Sequence, residues 1–446
     1  MRSTDKTMKM LFVKRILMVL AAVLILNSCG PVVPWEGQKM LLRGGLTQEI
    51  YGEEASSGAL TDSLTYTGSM SLSYAKEFTV DYYGEDYSLI TVHSDSRYLL
   101  IEEGAEVPGD LPEDITVLRK PLDHIYAASS SCPDFFRELG TLDRITMTGT
   151  KEEDWTIPRI REAVRNEDMI FVGKYSAPDY EYILDEGCDL AIENTMIYHA
   201  PEVSEMLERL GIPVLTEYSS YEKEPLGRLE WIRLYGLLTD TQDLADTFFE
   251  EQVSRLQEIL KDQEEPSGTR DEDANKNPGN NDMNGAARDG EEKGAGSDSP
   301  GAADVVFFYI ASNGSVNVRR EDDYVSRMIS MAGGRYLLHD LMQDAPEAGS
   351  HSGSVSLQME SFYDAAKDAD VLIYNGTLGE SLESLDELLS KSPLLKDFKA
   401  VQTGRVYCSK ESLFQETTGT CRMIEDFFHV IRGEDDGTLL YLQKLA

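Results

Sequence analysis

Basic residues, cysteines and long apolar runs are all scarce in this 446-residue chain. Forty-one Lys and Arg stand against 80 Asp and Glu, a formal net charge of −39. Such a field repels phosphate backbones and anionic lipid headgroups, which argues against a nucleic-acid role. The five cysteines form no C-x-x-C pair and no Cys/His cluster, so neither a dithiol redox motif nor a closed zinc site is indicated. No run reaches the ~20 apolar residues that a bilayer-spanning helix requires. Also missing are the G-x-S-x-G nucleophile elbow, the P-loop and the H-E-x-x-H pair. Gly294-Ala295-Gly296 has no strand before it and is not a dinucleotide fingerprint. Carboxylate pairs abound, but in a chain this acidic they carry no information. No catalytic constellation and no resident cofactor or metal is indicated, which leaves a surface-tethered hydrolase or a non-transport sensor as rival readings.

What is present begins at the N-terminus. Lys9, Lys14 and Arg15 precede the apolar run from Ile16 to Leu26, the length of a signal-peptide core. The run ends in Leu26-Asn27-Ser28-Cys29-Gly30, which resembles a bacterial lipobox. That resemblance implies removal of residues 1–28, a diacylglycerol on the Cys29 thiol, and a protein held on the outer face of a cell membrane through lipid alone. Two acyl chains at about 0.8 kcal/mol per buried methylene suffice for stable anchoring, where one does not. Cys132, Cys188, Cys408 and Cys421 remain, two in each half of the chain. One disulfide per lobe and four single thiols are the alternatives, since export permits disulfides without demanding them.

Residues 29–69 are Gly-, Ser- and Thr-rich without periodicity and read as a tether. A lobe over 70–225 opens with a hairpin: Phe78-Thr79-Val80-Asp81-Tyr82-Tyr83 and Ser88-Leu89-Ile90-Thr91-Val92 flank Gly84-Glu85-Asp86-Tyr87. Arg97 to Ile101 adds a third strand. Short apolar runs at Ile125, Ile145, Met169, Leu190 and Val214 then alternate with helical stretches, the signature of an α/β parallel sheet. Residues 226–261 read as one linking helix, with Thr239 and Gln242 placed as a capping box that opens a second segment. Residues 262–301 have almost nothing to bury and read as a disordered acidic insertion. A second α/β lobe spans 302–446. The lobes echo each other, with a helix leading to Asp189-Leu190-Ala191-Ile192-Glu193-Asn194 in the first and to Asp370-Val371-Leu372-Ile373-Tyr374-Asn375 in the second.

Other segments extend the pattern: Leu210-Gly211-Ile212-Pro213-Val214-Leu215, Pro225-Leu226-Gly227-Arg228-Leu229-Glu230-Trp231-Ile232, Leu234-Tyr235-Gly236-Leu237-Leu238 and Ala332-Gly333-Gly334. In order and spacing these stretches resemble the solute-binding proteins that feed ABC importers of iron–siderophores, haem and cobalamin. The resemblance covers the chain from about residue 114 onward, apart from the insertion. It implies two α/β lobes joined by a single long rigid helix, with a ligand cleft between them and the β-hairpin as an N-terminal extension. It further implies capture of a metal chelate, a ferric siderophore first, and delivery to an ABC permease and its ATPase. Haem, cobalamin, or bare zinc or manganese are the alternatives within the same fold. Docking in that family runs through one acidic residue per lobe; by position these are Glu202 and Glu360.

Ligands of open α/β sheets lie beyond the carboxyl ends of the strands. That rule selects Ser129, Ser130, Tyr175, Asn194, Thr195, Ser220 and Tyr221 in the first lobe, and Tyr374, Asn375, Phe414 and Gln415 in the second. Any of the Ser or Asn residues can instead cap a helix or close a turn. Arg319 and Arg320 are the cations suited to an anionic chelate, or else solvated charges beside Glu321, Asp322 and Asp323. For a bare cation the candidates are His124, His199, His339 and His351, with His124 expected to pack inside an apolar strand.

Overall fold

The computed structural model describes residues 60–261, 302–338, 354–379, 381–435 and 437–446. All fall in one compact unit. The lipobox with Cys29, the insertion 262–301, His339 and His351 lie outside the described residues. No described helix is long and apolar enough to cross a membrane.

Three sheets carry the fold. The first is a front sheet of five strands: Tyr66–Ser69, Phe78–Tyr83, Tyr87–Val92, Ser96–Ile101 and Ile115–Arg119. The first four form an antiparallel meander, and the fifth runs parallel to the fourth. Alternation explains the first hairpin, because Phe78 and Val80 point into the core while Thr79 faces water. Gly84 turns it with φ of 71°. The expected hairpin is therefore part of a larger sheet, and the expected tether ends earlier than residue 69. Leu60 is buried beside Tyr83 and Leu99, and Tyr66–Ser69 pairs with the hairpin.

The N-terminal lobe holds a parallel sheet in the order Val214–Glu217, Leu190–Asn194, Ile125–Ala127, Ile145–Thr148, Ile170–Phe171. Both faces are covered, as a parallel sheet requires. Ile125, Ile145, Leu190, Ile192 and Leu215 join the main core, while Tyr126, Met147, Ala191 and Val214 pack in a second core under the helices Tyr180–Asp185 and Pro201–Arg209. In the C-terminal lobe the strands Asp304–Ile310, Val371–Tyr374 and Val406–Ser409 are parallel at the centre. Antiparallel strands Val316–Arg319, Ser354–Leu357 and Leu442–Lys444 flank them.

Between the lobes the single helix expected over 226–261 is three: Pro225–Glu230, Ile232–Thr239 and Gln242–Lys261. The first two nearly run together through Trp231, which keeps helical dihedrals. The real break is at Asp240, held left-handed at φ 59°. Thr239 does not cap forward; its hydroxyl donates back to the Tyr235 carbonyl at 2.8 Å and meets the Thr241 hydroxyl at 2.9 Å. The helices on either side of the break pack closely, since a Cβ on Gly236 would collide with that of Ala245.

Two buried carboxylates tie the front sheet to this helical strut. Glu230 accepts from the backbone N–H groups of Ser73, Tyr74 and Ala75 at 2.7–3.1 Å. Glu222 accepts from those of Lys76 and Glu77 and from the Trp231 indole at 2.9–3.0 Å. Burial nevertheless raises the Glu222 pKa, because desolvation outweighs those hydrogen bonds. Buried Lys120 adds a third tie, bridging Glu102 and Asp240 at 2.7 and 2.6 Å.

Candidate functional site

Each lobe offers a loop at the carboxyl end of a strand that lies between two parallel neighbours, and the two loops are built alike. After Leu190–Asn194, the Asn194 side chain accepts the Met196 N–H at 2.8 Å and starts a short turn, Thr195–His199. After Val371–Tyr374, the Asn375 side chain accepts the Thr377 N–H at 3.2 Å and its hydroxyl at 2.7 Å, starting Gly376–Leu378. Asn194 and Asn375 thus act as the turn-closing residues that the sequence allowed as an alternative role. Both turns present apolar side chains to solvent: Met196 and Tyr198 are 48% and 56% exposed, and Leu378 is 50% exposed. Gly376 is required, because any Cβ there would strike the Ser409 carbonyl.

Around the first loop, Ser129 is buried and Ser130 half-buried. The floor beneath them is organised by Glu217, a residue missed in the sequence reading. Its carboxylate accepts from the Ser129 and Ser131 hydroxyls at 3.2 and 3.0 Å and from the Ser219 N–H at 3.0 Å. The available signal was an acid closing the apolar run Val214-Leu215-Thr216-Glu217, which overall acidity concealed. Thr195 is half-buried and Ser220 exposed. Tyr221 lies 5.3 Å from Tyr218, which stacks on His93 of the front sheet at 4.3 Å and donates to the Tyr198 hydroxyl at 2.7 Å. Tyr175 sits apart, on the small ribbon Gly173–Lys174 with Ala177–Pro178, packed against the second core.

In the C-terminal lobe Arg319 lies 3.6 Å from Asp323, with its guanidinium 4.8 Å above the Phe414 ring. Arg320 faces Asp322 at 3.7 Å. Tyr374 is fully buried, its ring against Phe308 and Tyr309. Gln415 does not stand open: its carbonyl accepts from the Thr156 N–H and hydroxyl at 2.9 and 2.7 Å, and its amide donates to the Asp154 carbonyl at 2.8 Å. It bridges the lobes. Asp134 does likewise, accepting from the Thr418 N–H and hydroxyl at 2.8 and 2.7 Å. Arg228 on the strut lies 3.9 Å over the Tyr324 ring, and Arg327 pairs with Glu224.

Glu202 and Glu360 are both exposed in the first turn of a helix. Their helices differ in place, one following the strand Leu190–Asn194 and the other preceding the strand Val371–Tyr374. His124 is not packed in a strand but exposed just before one, and His199 is exposed as well. No grouping of His, Cys, Asp or Glu among the described residues has metal-binding geometry. All four described cysteines are free thiols, with Cys132, Cys408 and Cys421 buried, which decides for thiols over disulfides.

No family model matches the chain. Two curated relatives are similar along most of its length, both uncharacterized lipoproteins of Methanocaldococcus jannaschii. One is 22% identical over 374 residues, covering 77% of each chain. The other is 22% identical over 384 residues, covering 83% of this chain and 86% of its own. Among solved structures, a periplasmic heme-binding protein from Pseudomonas aeruginosa superposes with a TM-score of 0.50 at 15% identity, over 73% of this chain and 98% of that one. A periplasmic binding protein from Veillonella parvula gives a TM-score of 0.50 at 16% identity, over 70% and 91%. These solved neighbours are binding proteins, not enzymes. The chain therefore has the two-lobe α/β fold of the periplasmic binding proteins.

Proposed function

We propose that this chain is the lipid-anchored, extracytoplasmic solute-binding component of an ABC importer, which captures a metal chelate and delivers it to a permease and ATPase. The observation that carries the reading is the matched pair of asparagine-capped loops at strand ends of the two lobes, each with exposed apolar side chains and the first beside the polar floor organised by Glu217. Such a pair suits a bulky ligand with an apolar face held by a few placed polar groups. The lipobox and the lipoprotein relatives support export and anchoring through Cys29.

Binding, not bond-breaking, is the chemistry. Ser130, Thr195, Ser220 and Tyr221 would meet the ligand from one lobe, with Phe414 and Arg319 from the other. Gln415 and Asp134, already engaged across the lobes, would hold the lobe spacing. The strut packs both lobes into one continuous core, which supports small-amplitude closure. Docking would use Glu202 and Glu360, and charge reversal at both should abolish uptake while leaving ligand affinity unchanged. Uptake that survives the double reversal removes that assignment.

Titration of the purified protein by tryptophan fluorescence tests the reading directly, with ferric siderophores, haem and cobalamin in one series and zinc and manganese in another. Saturable submicromolar binding of one chelate is the expected result. Tight binding of a bare cation alone would replace it with a metal-ion importer. Silence toward all ligands would overturn it.

A further inference from the structure

Arg228, on the first helix of the strut, is a buried cation with no counter-ion in contact. It is 6% exposed, and among the described residues it makes no hydrogen bond and no ion pair. Its close partner is the Tyr324 ring, whose centre lies 3.9 Å from the guanidinium carbon. The acids nearest to it in sequence are engaged elsewhere: Glu222 and Glu230 by backbone N–H groups of residues 73–77, and Glu224 by Arg327. Arg319 approaches the same spot from the second lobe. It lies 4.8 Å over Phe414, and Phe414 meets Tyr324 edge-on at 6.3 Å. Asp323 is the acid that the two arginines share. It stands 3.6 Å from Arg319, and while burial raises its pKa, both arginines act against that rise. Two guanidiniums thus surround one carboxylate. The helix that carries Arg228 packs against the first lobe's turn Ser219–Tyr221 and, in the second lobe, against Thr417–Gly419 and Tyr324–Met331. The group therefore sits where strand-end loops of both lobes converge on the strut.

A guanidinium keeps its charge when buried, and leaving its donors unmade costs free energy. Stacking on a ring recovers part of that cost through the ring quadrupole and leaves the N–H fork unspent. None of the Arg228 nitrogens ranks among the interior atoms sealed from water without an acceptor, so the fork is within reach of a ligand. Its geometry matches the two oxygens of a carboxylate. We propose that Arg228, with Arg319 beside it, receives a carboxylate on the periphery of the chelate, granted the importer reading above. Two arginines then balance two carboxylates, Asp323 and the ligand's. A chelating carboxylic acid such as citrate and a haem propionate offer the same group.

The test is a tryptophan-fluorescence titration of the purified protein with ferric citrate, haem, a neutral ferric trihydroxamate, and cyanocobalamin beside its monocarboxylic acid. At least one carboxylate-bearing complex is expected to bind saturably and about tenfold or more tighter than the neutral ones, the worth of a hydrogen bond between charged groups. Preference for ferric citrate assigns the carboxylate to a chelating acid, and preference for haem assigns it to a propionate. Arg228→Gln removes the charge and should weaken the preferred complex by roughly tenfold to a hundredfold. Arg228→Lys keeps the charge without the fork and should lose less. A neutral complex that binds as tightly as every carboxylate-bearing one overturns the inference and leaves the importer reading standing, a result that needs no variant. Unchanged affinity in Arg228→Gln overturns the role given to Arg228. So does an equal loss toward every ligand with a lowered denaturation midpoint, which would make the Tyr324 contact purely structural. Failure of every complex to bind overturns the importer reading, and this inference with it.

Discussion

The strands that lead into the two asparagine-closed turns bury different chemistry. Leu190–Asn194 and Val371–Tyr374 each lie between two parallel neighbours, and each leads into a turn closed by an asparagine side chain. They differ at the residue before that asparagine, Glu193 in one lobe and Tyr374 in the other. Both are fully buried, and both have side-chain oxygens with no hydrogen-bond partner. Burial raises the pKa of each, moving the Glu193 carboxyl up to about 8 and pushing the Tyr374 phenol above its ordinary value. The second lobe buries a group that is neutral at every physiological pH. The first buries one that is neutral only while protonated. Matching positions before the two turns thus make one lobe sensitive to pH and leave the other indifferent.

The largest effect that would sharpen this contrast is in the second lobe. Tyr374 packs edge-on to Phe308 at 5.6 Å and tilted against Tyr309 at 5.8 Å. Tyr374→Ala opens a large cavity and should cost about 3–5 kcal/mol in chemical denaturation. Tyr374→Phe keeps the ring and loses only an oxygen without a partner, so it should be neutral or slightly stabilising. A loss of more than about 1 kcal/mol in the Phe variant would mean that the hydroxyl has a partner in solution, and the comparison with Glu193 would break.

Next in size is the pH response of the first lobe. The folded protein holds the Glu193 proton up to about 8, while the unfolded chain releases it near 4.5. Across that window the native state binds more protons than the unfolded state, so its stability falls as pH rises and levels off above about 8. The fall attributable to this one group is on the order of a few kcal/mol. Glu193→Gln stays neutral throughout and should flatten the decline, read as denaturation midpoints between pH 5 and 9. A decline that is unchanged in the variant would mean that water or a rearranged side chain already solvates the carboxyl.

Most of the architecture was legible because short apolar runs in the sequence fall where the strands fall. The strands at Ile125, Ile145, Leu190 and Val214 lie within a residue or two of their expected places. The break in the strut was legible only in part. A second segment was expected after Thr239, but the left-handed Asp240 depends on the close packing of Gly236 against Ala245, a tertiary contact. Ile115–Arg119 escaped notice because a five-residue edge strand beside a proline carries little signal. At the candidate site, the strand ends are visible in the sequence but the contacts within the loops that follow them are not. Gln415 reads as a ligand contact until its partners Thr156 and Asp154, some 260 positions away in sequence, come into view. Glu217 had no distinguishing mark among 80 acidic residues. What separates it is that serines, and no cation among the described residues, surround it, a property of two strand ends brought together.

The smallest of these effects bears on whether the paired asparagines are equivalent. Loss of a capping side chain costs about 0.5–2 kcal/mol. Asn375 is 2% exposed and takes two donors, Thr377 N–H and Thr377 Oγ, whereas Asn194 is only half-buried and takes one. Asn375→Ala should therefore fall near the top of that range and Asn194→Ala near the bottom, measured under identical conditions. Ligand affinity separates capping from contact. If Asn194 only shapes its loop, Asn194→Asp preserves the acceptor and should bind ligand as wild type does, while Asn194→Ala weakens binding through the displaced Met196 and Tyr198. If Asn194 touches ligand through its amide, Asn194→Asp and Asn194→Ala should lose affinity together, and the two lobes would then be alike in backbone but unlike in what their asparagines do.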